Sequence, residues 1–351
     1  GVIGYPSIGG AINIITSPFS ETPNFELSSS VGSYNTRKYS AKFASGLVED
    51  KYSIYAKLSK TLSDGYRDNS WVDFNSYHIS AARYDENLTT IINLYGGPIS
   101  DGLADGGIAK FAVKDKKLRK ENLSYWESDG NSYTYKEVRK KSDIENFSQP
   151  HYELLNELKL NDKISINSAL FLVIGEGFFD YDGSWAIPDF GYDDYFRLKQ
   201  NGYTTDQLPT NALSRAQVEN KQWGWIPRMS WDHKYGSLTV GAEYRNHRSV
   251  HWGAIKYAEN IPSGVSEDYK YYFYRGGKDI INFFVNENYN LTNQLNVLGE
   301  VQLAYHNYKL FDERYVGNEF SLSNLFINPR LGFNYNFNNR LSAYISYAKV
   351  T

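Results

Sequence analysis

The chain has 351 residues, 41% of them hydrophobic and 22% charged, with a formal net charge of -3. The weak acidity leaves no basic footprint for nucleic acid, and the absence of cysteine removes disulfides, thiolate nucleophiles and Cys-ligated zinc. No apolar run approaches the roughly 18 residues of a membrane helix, the longest being residues 169–175. Aromatic residues are abundant, with 31 Tyr, 19 Phe and 7 Trp. Tyr and Trp suit places where one end of a side chain is apolar and the other wet, such as a sugar-binding surface or a membrane interface.

The chain opens on GVIGYPSIGGAINIIT, a Gly-rich turn followed by the β-branched run Ile12, Ile14 and Ile15. From residue 24 onward period two dominates. In LNVLGEVQLAY, Leu295, Val297, Val301 and Leu303 share one face, while Asn296, Glu300 and Gln302 share the other. LFINPRLGFNYNF alternates in the same way, although Pro329 and Pro227 each remove a ladder donor and so suggest bulges or strand ends there.

Short polar turns fall at residues 48–50, 85–87, 161–163, 234–236, 291–293 and 338–339. Between them the chain passes through longer aromatic and polar loops, centred on residues 63–70, 96–146, 175–221, 249–278 and 309–323. Short and long connections alternate, so all short turns lie at one end of the sheet. The count is about 13 strands, several of them ten to fourteen residues long, against about five or six in soluble proteins. Long alternating strands, short turns at one end and long loops at the other mark a transmembrane antiparallel up-and-down β-barrel. The number is odd and the sheet is expected to be partial and open. Alternation alone would equally suit a soluble up-and-down β-protein.

The stretch IGGAINIIT resembles the end of the plug domain in TonB-dependent outer-membrane receptors, and NFELSSSVGSYNTRKYSAKFASG resembles that family's first hairpin. The resemblance divides the chain into the end of a plug at 1–17, a linker at 18–23 and part of a barrel at 24–351. It implies an internal piece of a longer receptor in the bacterial outer membrane. It further implies active uptake of a scarce, bulky nutrient, with a ferric siderophore the leading cargo and haem, cobalamin and oligosaccharides open. Its implied partners are the TonB complex, acting through a segment upstream, and outer-membrane lipid. Two alternatives remain: a passive porin or structural barrel, and a soluble sugar-binding β-protein.

No catalytic signature is present, so no catalytic residue and no cofactor is expected. His247 and His251 stand four apart, which on a strand only places both on one face, and they read as solvated rim residues rather than metal ligands. GEGFFDYDGSWAIPDFGYDDYFRLKQ is the richest loop. Its candidate ligand-binding residues are Phe178, Tyr181, Trp185, Tyr192 and Tyr195, rings that stack on a flat or sugar-like ligand. The same rings would also pack a loop on its neighbours. The basic run Lys110, Lys114, Lys116, Lys117, Arg119 and Lys120 reads as a solvated charge run, able to attract an anionic chelate or lipid phosphate.

Overall fold

A computed structural model of the chain describes residues 19–122, 127–128, 133–134, 144–182, 196–207, 210–259, 261–266 and 269–349. The reading of 1–17 as a plug end therefore lies outside the described residues. The strands are β1 (Asn24–Gly32), β2 (Thr36–Ala44), β3 (Tyr52–Ser63), β4 (Val72–Tyr84), β5 (Leu88–Gly96), β6 (Ile99–Asp101), β7 (Glu127–Ser128), β8 (Tyr133–Thr134) and β9 (Glu145–Ser148). They continue as β10 (His151–Asn161), β11 (Ile164–Asp182), β12 (Thr210–His233), β13 (Gly236–Glu259), β14 (Lys270–Asn290), β15 (Leu295–Phe311), β16 (Phe320–Asn338) and β17 (Leu341–Ala348).

One antiparallel sheet runs β1-β2-β3-β4-β5-β10-β11-β12-β13-β14-β15-β16-β17, so thirteen strands lie side by side in chain order. The short β6 and β9 pair with each other and with β4 and β11, while β7 and β8 form a separate hairpin. The first and last strands do not pair with each other, and the sheet is open.

Polar side chains close the short turns by taking the orphaned backbone donors. Asn161 Oδ1 accepts from the amides of Lys163 and Ile164, Thr292 Oγ1 from Gln294 and Leu295, and Asn338 Oδ1 from Arg340 and Leu341. Such local bonds are why Asn and Thr hold turns. At the opposite end, the β1–β2 turn places Tyr34 and Asn35 at φ 58° and 53°, the two positive angles that a tight hairpin with the right twist requires. The edge of the Tyr34 ring meets Tyr66.

The two faces of the sheet are inverted relative to a soluble protein. On one face Glu243, Asn282, Gln302, Asn328 and His306 are buried, together with Ile280, Phe284 and Ala304. Glu243 accepts from Arg245 Nε at 2.7 Å and from Asn282 Nδ2 at 2.9 Å, Asn286 donates to Glu300 at 2.8 Å, and Asn328 donates to Gln302 at 3.3 Å. The opposite face exposes Trp223, Trp225, Met229, Trp231, Phe283, Val301, Leu303, Ile327 and Phe333. The sheet curls with its polar face inward. An exposed apolar face of this extent has no place on a soluble monomer, which removes the soluble alternative. Leu295 and Val297 pair with Tyr335 and Phe333, and so share the outer face with Val301 and Leu303, while Glu300 and Gln302 face inward, as the alternation predicts.

Two features differ from the sequence expectation. First, the strands are longer, 24 residues in β12 and β13, because much of what reads as loop continues as strand: β11 reaches Asp182 and β12 begins at Thr210. Above the bilayer both faces of a strand meet water, so the polar stretch NALSRAQVENK carries no apolar alternation to mark it. Second, neither proline makes a bulge. The Pro329 carbonyl accepts from Lys349 on the β17 side, so its missing donor points past the end of that pairing and leaves the β15 side intact. Pro227 lies at a two-residue gap in the β12–β13 pairing, with the same register on both sides of it.

Candidate ligand-binding mouth

The long connections meet at one end of the sheet. There Phe196, Leu198, Ala212, Ile255, Ala258 and Tyr271 form a buried cluster, with Tyr203, Tyr269 and Tyr272 packed against it. Polar bonds tie the loop before β12 to β14: Arg197 Nε donates to the Tyr271 carbonyl at 2.9 Å, and the Tyr269 hydroxyl to the Phe196 carbonyl at 2.7 Å. Cations lie on the rings around it, Arg314 at 3.7 Å from the Phe273 centroid and Lys270 at 4.6 Å from that of Trp252. Glu313 shapes the β15–β16 loop by accepting backbone amides from Tyr315, Val316, Gly317 and Asn318.

Tyr181 joins this mouth. Its hydroxyl lies 2.8 Å from that of Tyr271, and its ring packs on the buried trio Trp71, Leu103 and Ile144. Phe178 does not. It pairs in register with Gln217, which places it on the outer face with Leu170, Leu172, Trp223 and Trp225, and it stacks under Arg215 at 3.5 Å. Positions 178 and 181 are an odd number apart on one strand, so they point to opposite faces. Arg215 in turn makes a bidentate ion pair, 2.7 and 2.8 Å, with the buried Asp180. Trp185, Tyr192 and Tyr195 lie outside the described residues.

His247 and His251 share the inner face, as their spacing requires, but both are half-buried rather than solvated. His251 stacks on Tyr274 with ring centres 4.8 Å apart and bonds Ser249 Oγ at 3.0 Å. The basic run is exposed apart from Arg119, whose guanidinium sits 5.7 Å from the Tyr66 ring. Among the described residues no three His, Cys, Asp or Glu side chains are grouped to hold a metal.

Beneath the longest loop, β6 and β9 place Asp101 directly opposite Glu145. Burial first, then the hydrogen bond to Asp101 and the charges of Asp101 and Asp105, push the Glu145 carboxyl up to about 7. Below that value the pair holds a proton, which lets two acids face each other. Sequence reasoning missed this pair and the Tyr271 cluster. The only available signal was the Tyr-rich run DYKYYFY, which alternates like a strand.

No protein-family model matches the sequence, and no curated protein does. Solved structures match over almost the whole chain. The open form of the ferric-catecholate import receptor Fiu from E. coli aligns at TM-score 0.67 and 13% identity, covering 95% of this chain and 55% of that one. The fold is that of an outer-membrane receptor barrel. The unliganded ferric citrate transporter FecA aligns at TM-score 0.67 and 14% identity, covering 97% and 46%. The ferripyoverdine receptor of the outer membrane of Pseudomonas aeruginosa aligns at 0.66 and 10%, covering 95% and 43%. At these identities the likeness is one of fold, and this chain spans about half the length of the receptors it matches.

Proposed function

We propose that the chain forms wall and mouth of a TonB-dependent receptor in the bacterial outer membrane, which takes up a ferric siderophore or a comparable bulky chelate. The observation that carries the reading is the inverted sheet, apolar outside and polar inside, with its aromatic loops gathered at one end. The structures sharing the fold include import receptors for ferric catecholate, ferric citrate and ferripyoverdine, which supports an iron chelate as cargo. In this reading residues 1–17 end a plug, 18–23 link it to the wall, and an energised TonB complex acts on the plug from the periplasm. The protein binds and passes its cargo without chemistry upon it, so no side chain acts as acid, base or nucleophile.

Recognition falls to Tyr181, whose ring faces the mouth, and, in this reading, to Trp185, Tyr192 and Tyr195, which follow it in the sequence. A ring that stacks on a flat chelate contributes about 0.5–1.5 kcal/mol beyond area burial, roughly a two- to tenfold change in affinity. The test is uptake of labelled ferric chelate by iron-starved cells carrying Tyr181→Ala with Trp185→Ala, beside immunodetection of receptor at the cell surface. Uptake should fall at unchanged surface abundance. Unchanged uptake removes these rings from the cargo site.

A further inference from the structure

Just below the mouth, charge is sorted between the two faces of the sheet. The inward positions of β13 run Arg245, His247, Ser249 and His251, and opposite the last three on β14 stand Lys278, Gly276 and Tyr274. The acids at this height, Glu176, Glu219 and Asp279, have the other parity and face outward, where Asp279 accepts from Asn246 and Arg248. The inward carboxylate below, Glu243, is taken by Arg245 and Asn282. Among the described residues, no carboxylate faces inward on β11–β15 between Glu243 and the Gly253–Tyr272 pair.

The row between the two imidazoles is kept low. Gly276 lets the Ser249 hydroxyl lie across it, 2.6 Å from where a Cβ would stand, and that hydroxyl bonds His251 Nε2 at 3.0 Å. Larger side chains bound the row on both sides, His247 with Lys278 below and His251 with Tyr274 above. Tyr274 stacks in turn on Tyr272, which packs against the mouth cluster, so the row opens from the mouth. The groups that face the imidazoles are few. His247 meets Gln222 on β12 and Lys278 on β14, with Arg245 next on its own face, and His251 meets Val218 on β12 and Tyr274 on β14. Lys278 Nζ lies 4.9 Å from the Tyr308 ring, and His306 stands one inward row further down. An imidazole is ordinarily neutral at pH 7. A cation beside it opposes its proton, and an anion seated between them favours it.

We propose that this row is a proton-linked anion site on the inner wall: a metal chelate of net negative charge seats against Lys278, His247 and His251 take up protons from solvent as it binds, and the chelate is held more tightly as pH falls. The inference rests on the uptake reading and narrows its cargo to anionic chelates, since a neutral chelate gains nothing from the protons.

The full receptor, purified from outer membranes in mild detergent, is titrated calorimetrically at about pH 7.5 and about pH 5.5, on either side of the ordinary imidazole value. The probes are hexacyanocobaltate(III), an inert trianion whose charge is the same at both values, and the neutral complex triamminetrinitrocobalt(III). Affinity for the trianion should rise about tenfold at the lower pH, the effect of one charge-assisted hydrogen bond. Repeating the titration in buffers of different ionisation enthalpy should show proton uptake on binding. The neutral complex should show neither effect. His247→Gln with His251→Gln should bind the trianion at the lower pH no more tightly than the parent does at the higher one. A flat profile in the parent, the same rise for the neutral complex, or a rise that survives in the double variant would each overturn the assignment. The two readings fail separately: a flat profile beside ring-dependent uptake removes the histidine site alone, and uptake that ignores Tyr181 and Trp185 beside an intact rise removes the ring site alone.

Discussion

Val301 tests the orientation of the whole wall. It is the middle residue of the outward run Val297, Gly299, Val301, Leu303 and Tyr305 on β15 and pairs with Val285 and Pro329, so it lies at mid-height of this uncharged belt with 47% of its surface exposed. Four residues separate it from either end of the belt, about 13 Å along the strand and some 9 Å in height at a 45° tilt. Val301→Arg therefore places a guanidinium near the bilayer midplane, at a cost of about 2–4 kcal/mol. Asn307→Arg is the matched control, on the same face of the same strand but above the belt and in register with Asp279. There the cost should be about 0–1 kcal/mol. Denaturant titrations of folding in lipid vesicles read both variants against the parent. If Val301→Arg is no more costly than Asn307→Arg, the apolar face does not meet lipid and the membrane reading fails.

The buried Asp180–Arg215 pair should be worth more broken than replaced: Asp180→Ala strands a guanidinium and should cost about 3–5 kcal/mol, while the double change Asp180→Leu with Arg215→Leu should recover most of it, read as the shift in thermal midpoint. For Glu145 the folded-state value of about 7 lies above its ordinary 4.5, so the native state holds the extra proton. The contribution is complete below 4.5 and is lost as pH rises through 7. Hydrogen exchange in β6 and β9 should therefore quicken across that window, and Glu145→Gln should flatten the response. A pH-independent exchange rate in the parent would remove the carboxyl pair from control of this flap. Gly177→Ala should loosen the same flap, because an added Cβ would stand 2.4 Å from the Asn146 carbonyl oxygen and 2.7 Å from Phe147 Cα. Protection of β9 should fall relative to β10.

How much of this was legible in the sequence depended on where lipid constrains it. Around Val301 one face must be apolar, so the period of two shows through and the face of each residue follows from its parity. Around Phe178 lipid no longer constrains the strand. GEGFFDYDG carries no apolar alternation and reads as loop, which hides the parity of its positions. Once β11 is seen to run to Asp182, Phe178 and Tyr181 must part to opposite faces. The mouth cluster was illegible for another reason. Phe196, Ala212, Ile255 and Tyr271 come from the loop before β12 and from β12, β13 and β14, and no local pattern encodes that they meet. Asp101 and Glu145 sit in strands of three and four residues, too short for any period to declare itself. The turns, by contrast, were legible because Asn161, Thr292 and Asn338 each bond within three residues of themselves.

The open sheet makes a last demand. Among the described residues β1 pairs only with β2 and β17 only with β16, so each presents an outer row of amides and carbonyls with no partner strand among them. Both strands are exposed on both faces. In water such a row is solvated and merely prone to pair with other chains. In hydrocarbon each unsatisfied group costs several kcal/mol, and only closed barrels escape that cost. A nine-residue edge strand has about four or five groups of each kind facing outward, enough to exceed the 5–15 kcal/mol stability of a typical fold. These thirteen strands therefore stand in a bilayer only when something pairs with β1 and β17. Refolded alone in detergent, residues 1–351 should not give the heat-modifiable band shift of a closed barrel on a gel. A shift on boiling, with β1 amides protected from exchange, would show that the two edges find each other and that the wall closes by itself.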